Sequence, residues 1–189
     1  MAEVVLYHHV QGLTDGLRRV ADSLRQAGHE VHTPDLFEGR TFASIDEGFG
    51  FAREVGFERV RERGIAAVEA LGAELVYVGF SFGVTIAQRL AQTRPGARGA
   101  LLIDACLPVT EFGEEWPAGV PVQVHGKEAD EFFDEDLPSA RDLVRSTPHA
   151  ELFLYPGDQH LFADSSLPAH DPEAAAVLLE RMRSFLASV

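Results

Sequence analysis

The 189-residue sequence has a single cysteine, Cys106, so neither a disulfide scaffold nor a multi-thiolate metal centre can be assembled within the chain. Long apolar runs are missing too. The first ten residues, MAEVVLYHHV, are interrupted by Gln11 and Gly12, and no later run approaches the ~20 residues that span a bilayer. A soluble, cytoplasmic protein without a targeting segment is therefore expected. Positive charge is scarce: 16 Lys and Arg stand against 30 Asp and Glu, a formal charge of -14. That balance argues against nucleic-acid and membrane partners and leaves a small molecule as the expected one. Neither GxGxxG nor GxxxxGK[ST] occurs, so no dinucleotide or P-loop nucleotide is expected. Internal repeats and linker-like shifts of composition are also absent. What remains is a chain 46% hydrophobic, long enough to bury about 70% of its unfolded surface. It reads as one domain over residues 1–189.

The hydrophobic pattern alternates between strands and helices. Glu3 to Tyr7 reads as a strand and Thr14 to Ala27 as a helix with Leu17, Val20, Ala21 and Leu24 on one face. Glu30 to Thr33 is a second strand, stopped by Pro34. Ser44 and Glu47 have capping-box spacing and predict a short helix, followed by a longer one through Val60, Ile65, Val68 and Leu71. Strands follow at Leu75 to Gly79, Ala100 to Asp104, Val120 to His125 and Glu151 to Tyr155. A helix begins directly after Gly79, and another lies around Leu137 to Ser146. Asp171 as N-cap with Pro172 behind it opens a terminal helix. Strands separated by helical crossovers predict an α/β fold, with a mostly parallel sheet covered by helices on both faces. The least regular stretch, residues 106–121, carries Trp116 and either covers the sheet edge where loops meet or crosses the surface. Phe37, Phe42, Phe49, Phe51 and Phe57 pose a similar choice between packing and pocket lining.

The chemistry concentrates at strand ends. GFSFG, residues 79–83, joins a buried strand to a helix. A serine on so sharp a turn has its hydroxyl raised above the sheet, while glycines two away on either side leave room for the backbones. Ser81 is the candidate nucleophile. A neutral serine hydroxyl needs a base, and His160, in YPGDQHLF after the last strand, is the candidate. The acid that would orient it should follow a strand end between them. HGKEAD offers Asp130, with Glu128 beside it and Asp104 at the end of the preceding strand as the spare. Backbone amides of Phe82, at a helix start, and Val10, in HHVQG after the first strand, are the candidate oxyanion donors. His9, Arg40 and Trp116 are candidate substrate-binding residues. His8, His9 and His125 do not suggest a metal. Adjacent strand residues face opposite ways, and HHV is not the HExxH helix pattern, so no metal or cofactor is expected.

Taken together, VVLYHHVQGL, AGHEVHTPDLFEGR, GFSFG, HGKEAD and YPGDQHLF resemble the dienelactone hydrolase family of the α/β-hydrolase superfamily, and the likeness runs through nearly the whole chain. The resemblance implies a compact α/β-hydrolase with six strands in the order 2-1-3-4-5-6. It also implies a triad of Ser81, Asp130 and His160, with an oxyanion hole formed by the amides of Val10 and Phe82. Three departures bear on the substrate. The best-known members use cysteine where this chain has Ser81. They often have QEIFG where this chain has HHVQG, so that His9 replaces a glutamate. They also carry an arginine soon after the histidine, in a region where this chain has Asp164. The expectation is hydrolysis of a small neutral ester or lactone rather than a carboxylated dienelactone, with Arg40 or Arg53 as the residues that could still supply a cation. A thioester is the nearest chemical alternative, and an inactive hydrolase-like binding protein is the alternative of a different class.

Overall fold

A computed structural model describes residues 1–189. Six strands, β1 (Glu3–Tyr7), β2 (Glu30–His32), β3 (Leu75–Phe80), β4 (Gly99–Ile103), β5 (Val122–Lys127) and β6 (Ala150–Tyr155), form one sheet in the order β2-β1-β3-β4-β5-β6. Every pairing is parallel. The six α-helices are α1 (Asp15–Gln26), α2 (Ile45–Val55), α3 (Phe57–Ala66), α4 (Val84–Thr93), α5 (Glu131–Ser146) and α6 (Pro172–Ser188). None of them is long and apolar enough to cross a membrane.

Alternation along the strands divides the core into two layers. Val4 and Leu6 of β1, with Val76 and Val78 of β3, join Leu17, Ala21 and Leu24 of α1 and Leu178, Met182 and Phe185 of α6. Val5, Tyr7, Leu75 and Tyr77 point the other way and pack with residues of α2, α3, α4 and α5. Side chains of period two on the strands and about 3.6 on the helices can meet only if helices cover both faces.

Local signals set most helix starts. The Thr14 hydroxyl accepts the Leu17 amide to cap α1, and Ser44 accepts Glu47 N–H at 3.2 Å to cap α2. Asp171 accepts from Glu173 and Ala174 ahead of Pro172. Two boundaries differ from expectation. β5 runs two residues further, to Lys127, and α5 starts at Glu131 rather than near Leu137, so Pro138 lies inside the helix. Asp130 caps α5 by accepting the Phe132 amide at 3.0 Å, which starts the helix a full turn and more before the proline.

The connection from β4 to β5 has no α-helix, only a single 3₁₀ turn at Val109–Glu111. It returns the chain from the carboxyl ends of the strands to their amino ends. Trp116 is buried in that return, with its indole N–H donating to Val120 O at 2.7 Å, and Val120 lies beside Arg94 to Ala97 ahead of β4. The expected place for Trp116 at the substrate is therefore corrected: it closes the core at the opposite end of the strands from Ser81.

Candidate active site

The strand order reverses at β1, whose neighbours are β2 and β3, and such a switch opens a crevice beyond the carboxyl ends of the strands. The register Tyr7↔Gly79 puts Ser81 just past that edge, next to the loop leaving β1. Ser81 has φ +47°, a left-handed conformation costly for a residue with a side chain, and the surrounding packing leaves little alternative. A Cβ on Gly79 would stand 2.6 Å from the Val84 backbone, and one on Gly83 would stand 2.4 Å from Tyr7 O. Both glycines are there because strand, turn and helix backbones touch.

The structure brings Ser81, His160 and Asp130 together. Ser81 Oγ lies 2.9 Å from His160 Nε2, and His160 Nδ1 lies 2.6 Å from Asp130 Oδ2. With an acceptor carboxylate at Nδ1, the tautomer carrying its proton there leaves Nε2 to accept from the serine hydroxyl. Asp130 serves twice, since its other oxygen caps α5. Burial pulls the His160 pKa down, but the bond to Asp130 and the charges of Asp104, Asp130 and Asp136 outweigh it, and the net displacement is upward from 6.5. The Phe132 ring, 52% exposed, leans over the imidazole with centroids 4.8 Å apart. Lys127, a fully buried lysine on β5, donates to Pro156 O at 2.7 Å and to Asp171, anchoring the start of the loop that carries His160.

The loop after β1 is held from two sides. His8 is buried; its Nδ1 donates to His9 O at 2.7 Å and its Nε2 accepts the Leu36 amide at 3.0 Å. Burial pushes the His8 pKa down to about 4, so the ring is neutral near pH 7. His9, with no exposed surface, accepts the Gln11 amide at Nδ1 and donates from Nε2 to Asp164 at 2.8 Å. Asp164 also accepts from Thr14 and from both the amide and hydroxyl of Ser166. Burial alone would raise its pKa, but these donors hold it at about 2. Expectations for His9 and Asp164 are thus corrected: neither lines the substrate cavity, and together they fasten the β1 loop to the segment following His160. Between His9 and Gln11, the buried Val10 amide donates to no acceptor in the chain.

A cavity of about 340 Å³ opens at Ser81, walled by Phe49, Phe57, Phe82, Leu107 and Phe132, with Arg61, Asp104, Glu135 and Asp136 as its charged lining. Arg40 is not part of it. Its guanidinium lies 5.0 Å from the Phe51 ring, and Phe37, Phe42 and Phe51 form an aromatic cluster of their own. The cation at the cavity is Arg61, one helical turn after Phe57 on α3, a spacing that puts the two on one face. That i,i+4 pair was the available signal, but the sequence does not reveal which helix face looks toward Ser81. His125 lies apart from His8 and His9, its Nδ1 against the Tyr155 hydroxyl at 3.0 Å. Cys106 is buried, with its thiol pKa pushed up to about 12 by burial and by Asp136.

Solved structures share this architecture over the full chain. A dienelactone hydrolase-like promiscuous phosphotriesterase from metagenomic libraries superimposes with a TM-score of 0.72 at 19% identity, covering 100% of this chain and 86% of its own. Dienelactone hydrolase from Anabaena variabilis does so with 0.71 at 17%, covering 100% and 86%. Alpha/beta hydrolase domain-containing protein 10 from mouse gives 0.72 at 13%, covering 99% and 90%. These likenesses establish the α/β-hydrolase fold. No curated protein sequence matches the chain. The family model that does match it, from residue 1 to residue 189, describes the dienelactone hydrolase family, and the chain belongs to that family.

Proposed function

We propose that this protein is a serine hydrolase that cleaves a small carboxylic ester or lactone through an acyl-enzyme. The observation that carries the reading is the unbroken relay from Ser81 Oγ through His160 to Asp130, opening onto the aromatic-walled cavity. Ser81 attacks the substrate carbonyl while His160 Nε2 takes its proton, and Asp130 stabilises the imidazolium that forms. The amides of Val10 and Phe82 receive the oxyanion. In support, the Val10 N–H has no other partner, and a single such donor is worth about 3 kcal/mol in the transition state. His160 then gives its proton to the departing alkoxide, and water, deprotonated by the same nitrogen, releases the acid. The phenylalanines favour a compact apolar acyl or alcohol group, and the cavity volume suits a small substrate.

The test is covalent. A fluorophosphonate probe should modify Ser81 in the folded protein, as located by peptide mapping, and Ser81→Ala should lose both labelling and hydrolysis of p-nitrophenyl acetate. Labelling confined to another residue, with Ser81 untouched, would overturn the assignment.

A further inference from the structure

Asp104 follows β4 directly, with its amide bonded to His125 O at 2.8 Å, and is 2% exposed. It is the only buried carboxylate whose two oxygens have no hydrogen bond: the Leu161 amide faces it without reaching bonding geometry. A buried polar group left unpaired in a native structure calls for an explanation. Asp104 is not merely tucked into the core. It lines the cavity at Ser81, and its carboxylate, that of Asp130 and a ring nitrogen of His160 lie within 4.8 Å of one another. Its backbone has φ +60° and Leu161, after His160, has φ +63°, so two left-handed residues fix this approach.

We propose that Asp104 is a second acid behind His160, one that keeps the imidazole protonated to higher pH and takes over its Nδ1–H when Asp130 is removed. The proposal rests on the relay reading of Ser81, His160 and Asp130. The groups facing Asp104 are His160 from the loop after β6, Asp130 from the loop after β5, Lys127 on β5 and Tyr155 on β6. Arg61, Glu135 and Asp136 line the same cavity. Burial raises the Asp104 pKa most, Asp130 adds to the rise, His160, Lys127 and the Leu161 amide oppose it, and the outcome is about 7. The carboxyl therefore gains its charge near pH 7, its charge is among those that raise His160 above 6.5, and the two neighbours titrate as a coupled pair. A negative charge at this separation stabilises imidazolium. A neutral replacement must then move the His160 midpoint to lower pH.

Asp104→Asn is the decisive variant, because asparagine tolerates the left-handed backbone at this position and matches the shape. Asp104→Gly serves as a second neutral variant compatible with the same φ. The first measurement follows the His160 imidazole by NMR against pH in wild type and both variants. The midpoint is expected to fall by about one pH unit or more, and the acid limb of kcat/KM should move with it. The second measurement compares Asp130→Asn with Asp104→Asn/Asp130→Asn. The single variant should retain at least ~10-fold more activity, and the downfield Nδ1–H resonance that the double variant loses. An unmoved midpoint in both neutral variants, or a double variant equal to Asp130→Asn, overturns the proposal. The NMR titration needs no turnover. A shifted midpoint in a protein that hydrolyses no ester would refute the hydrolase reading and leave the coupling intact, whereas hydrolysis with an unmoved midpoint would refute only the role of Asp104.

Discussion

Asp164→Asn should destabilise the fold and do so in a pH-dependent way. The carboxylate is 1% exposed and accepts from His9, Thr14 and the amide and hydroxyl of Ser166. Asparagine keeps one acceptor oxygen, which can still serve Ser166, but turns its NH₂ toward the donors of His9 and Thr14. Hydrogen bonds to charged groups contribute about 1.5 to 3 kcal/mol each and do not add within one network. A second route to the magnitude is the pKa displacement from 3.8 to about 2, which corresponds to about 2 kcal/mol of folded-state preference for the carboxylate. Both routes point to a loss of about 2 to 3 kcal/mol at pH 7. Because the folded pKa is depressed, this stabilisation is present above pH 3.8 and is lost as pH falls toward 2. Urea unfolding followed by circular dichroism should therefore show a wild-type advantage at pH 7 that shrinks by roughly half at pH 3. The many other acidic groups titrate in both proteins, so the difference isolates Asp164. A gap below about 0.5 kcal/mol at pH 7, or one unchanged at pH 3, would refute the argument that this carboxylate is a buried fastener.

Three further outcomes follow from the site. Asp130→Asn should lower kcat/KM by up to about 10⁴-fold while changing stability little, since asparagine can still cap α5; a loss under tenfold even in folded Asp104→Asn/Asp130→Asn, where Asp104 cannot stand in, would remove Asp130 from its role. With Glu135 and Asp136 opposing Arg61 in the cavity, neutral short-acyl esters should turn over faster than matched carboxylated ones, and Arg61→Ala should widen that gap while Arg40→Ala leaves it alone. A tenfold preference of the wild type for the anion at low salt would reverse this. Cys106, buried and held as a thiol, should resist iodoacetamide in the folded protein, and Cys106→Ala should keep most activity. Rapid alkylation with loss of activity would contradict its burial.

The sequence alone determined the elements and their connectivity, because those signals are local or periodic. Thr14, Ser44 and Asp171 announce helix starts within a few residues, strand and helix periods separate the two core layers, and GFSFG, set between a buried strand and a helix, reads as a strand-to-helix turn. Ser81, Asp130 and His160 were legible for the same reason: each follows a strand end, and parallel strands bring those ends to one edge. The start of α5 was not legible, since the capping Asp130 and the first turn after it lie in an acidic run outside the apolar pattern that marks the helix. What only the tertiary structure decided was where side chains point once they leave that edge. His9 and Asp164 are 155 residues apart, and no local pattern says that they bond to each other rather than to a substrate. Arg40, in the loop between β2 and α2, settles on Phe51, while Arg61 reaches the cavity from α3, and neither the path of that loop nor the rotation of that helix is written in a local pattern. Trp116 sits at the far end of the sheet because the β4–β5 connection returns there without a helix. Asp104 and Asp130 both occupy strand ends in the sequence, but which of them meets the imidazole nitrogen, and which is left buried and unpaired beside it, depends on ångström-scale geometry set by the packing of β4, β5 and β6.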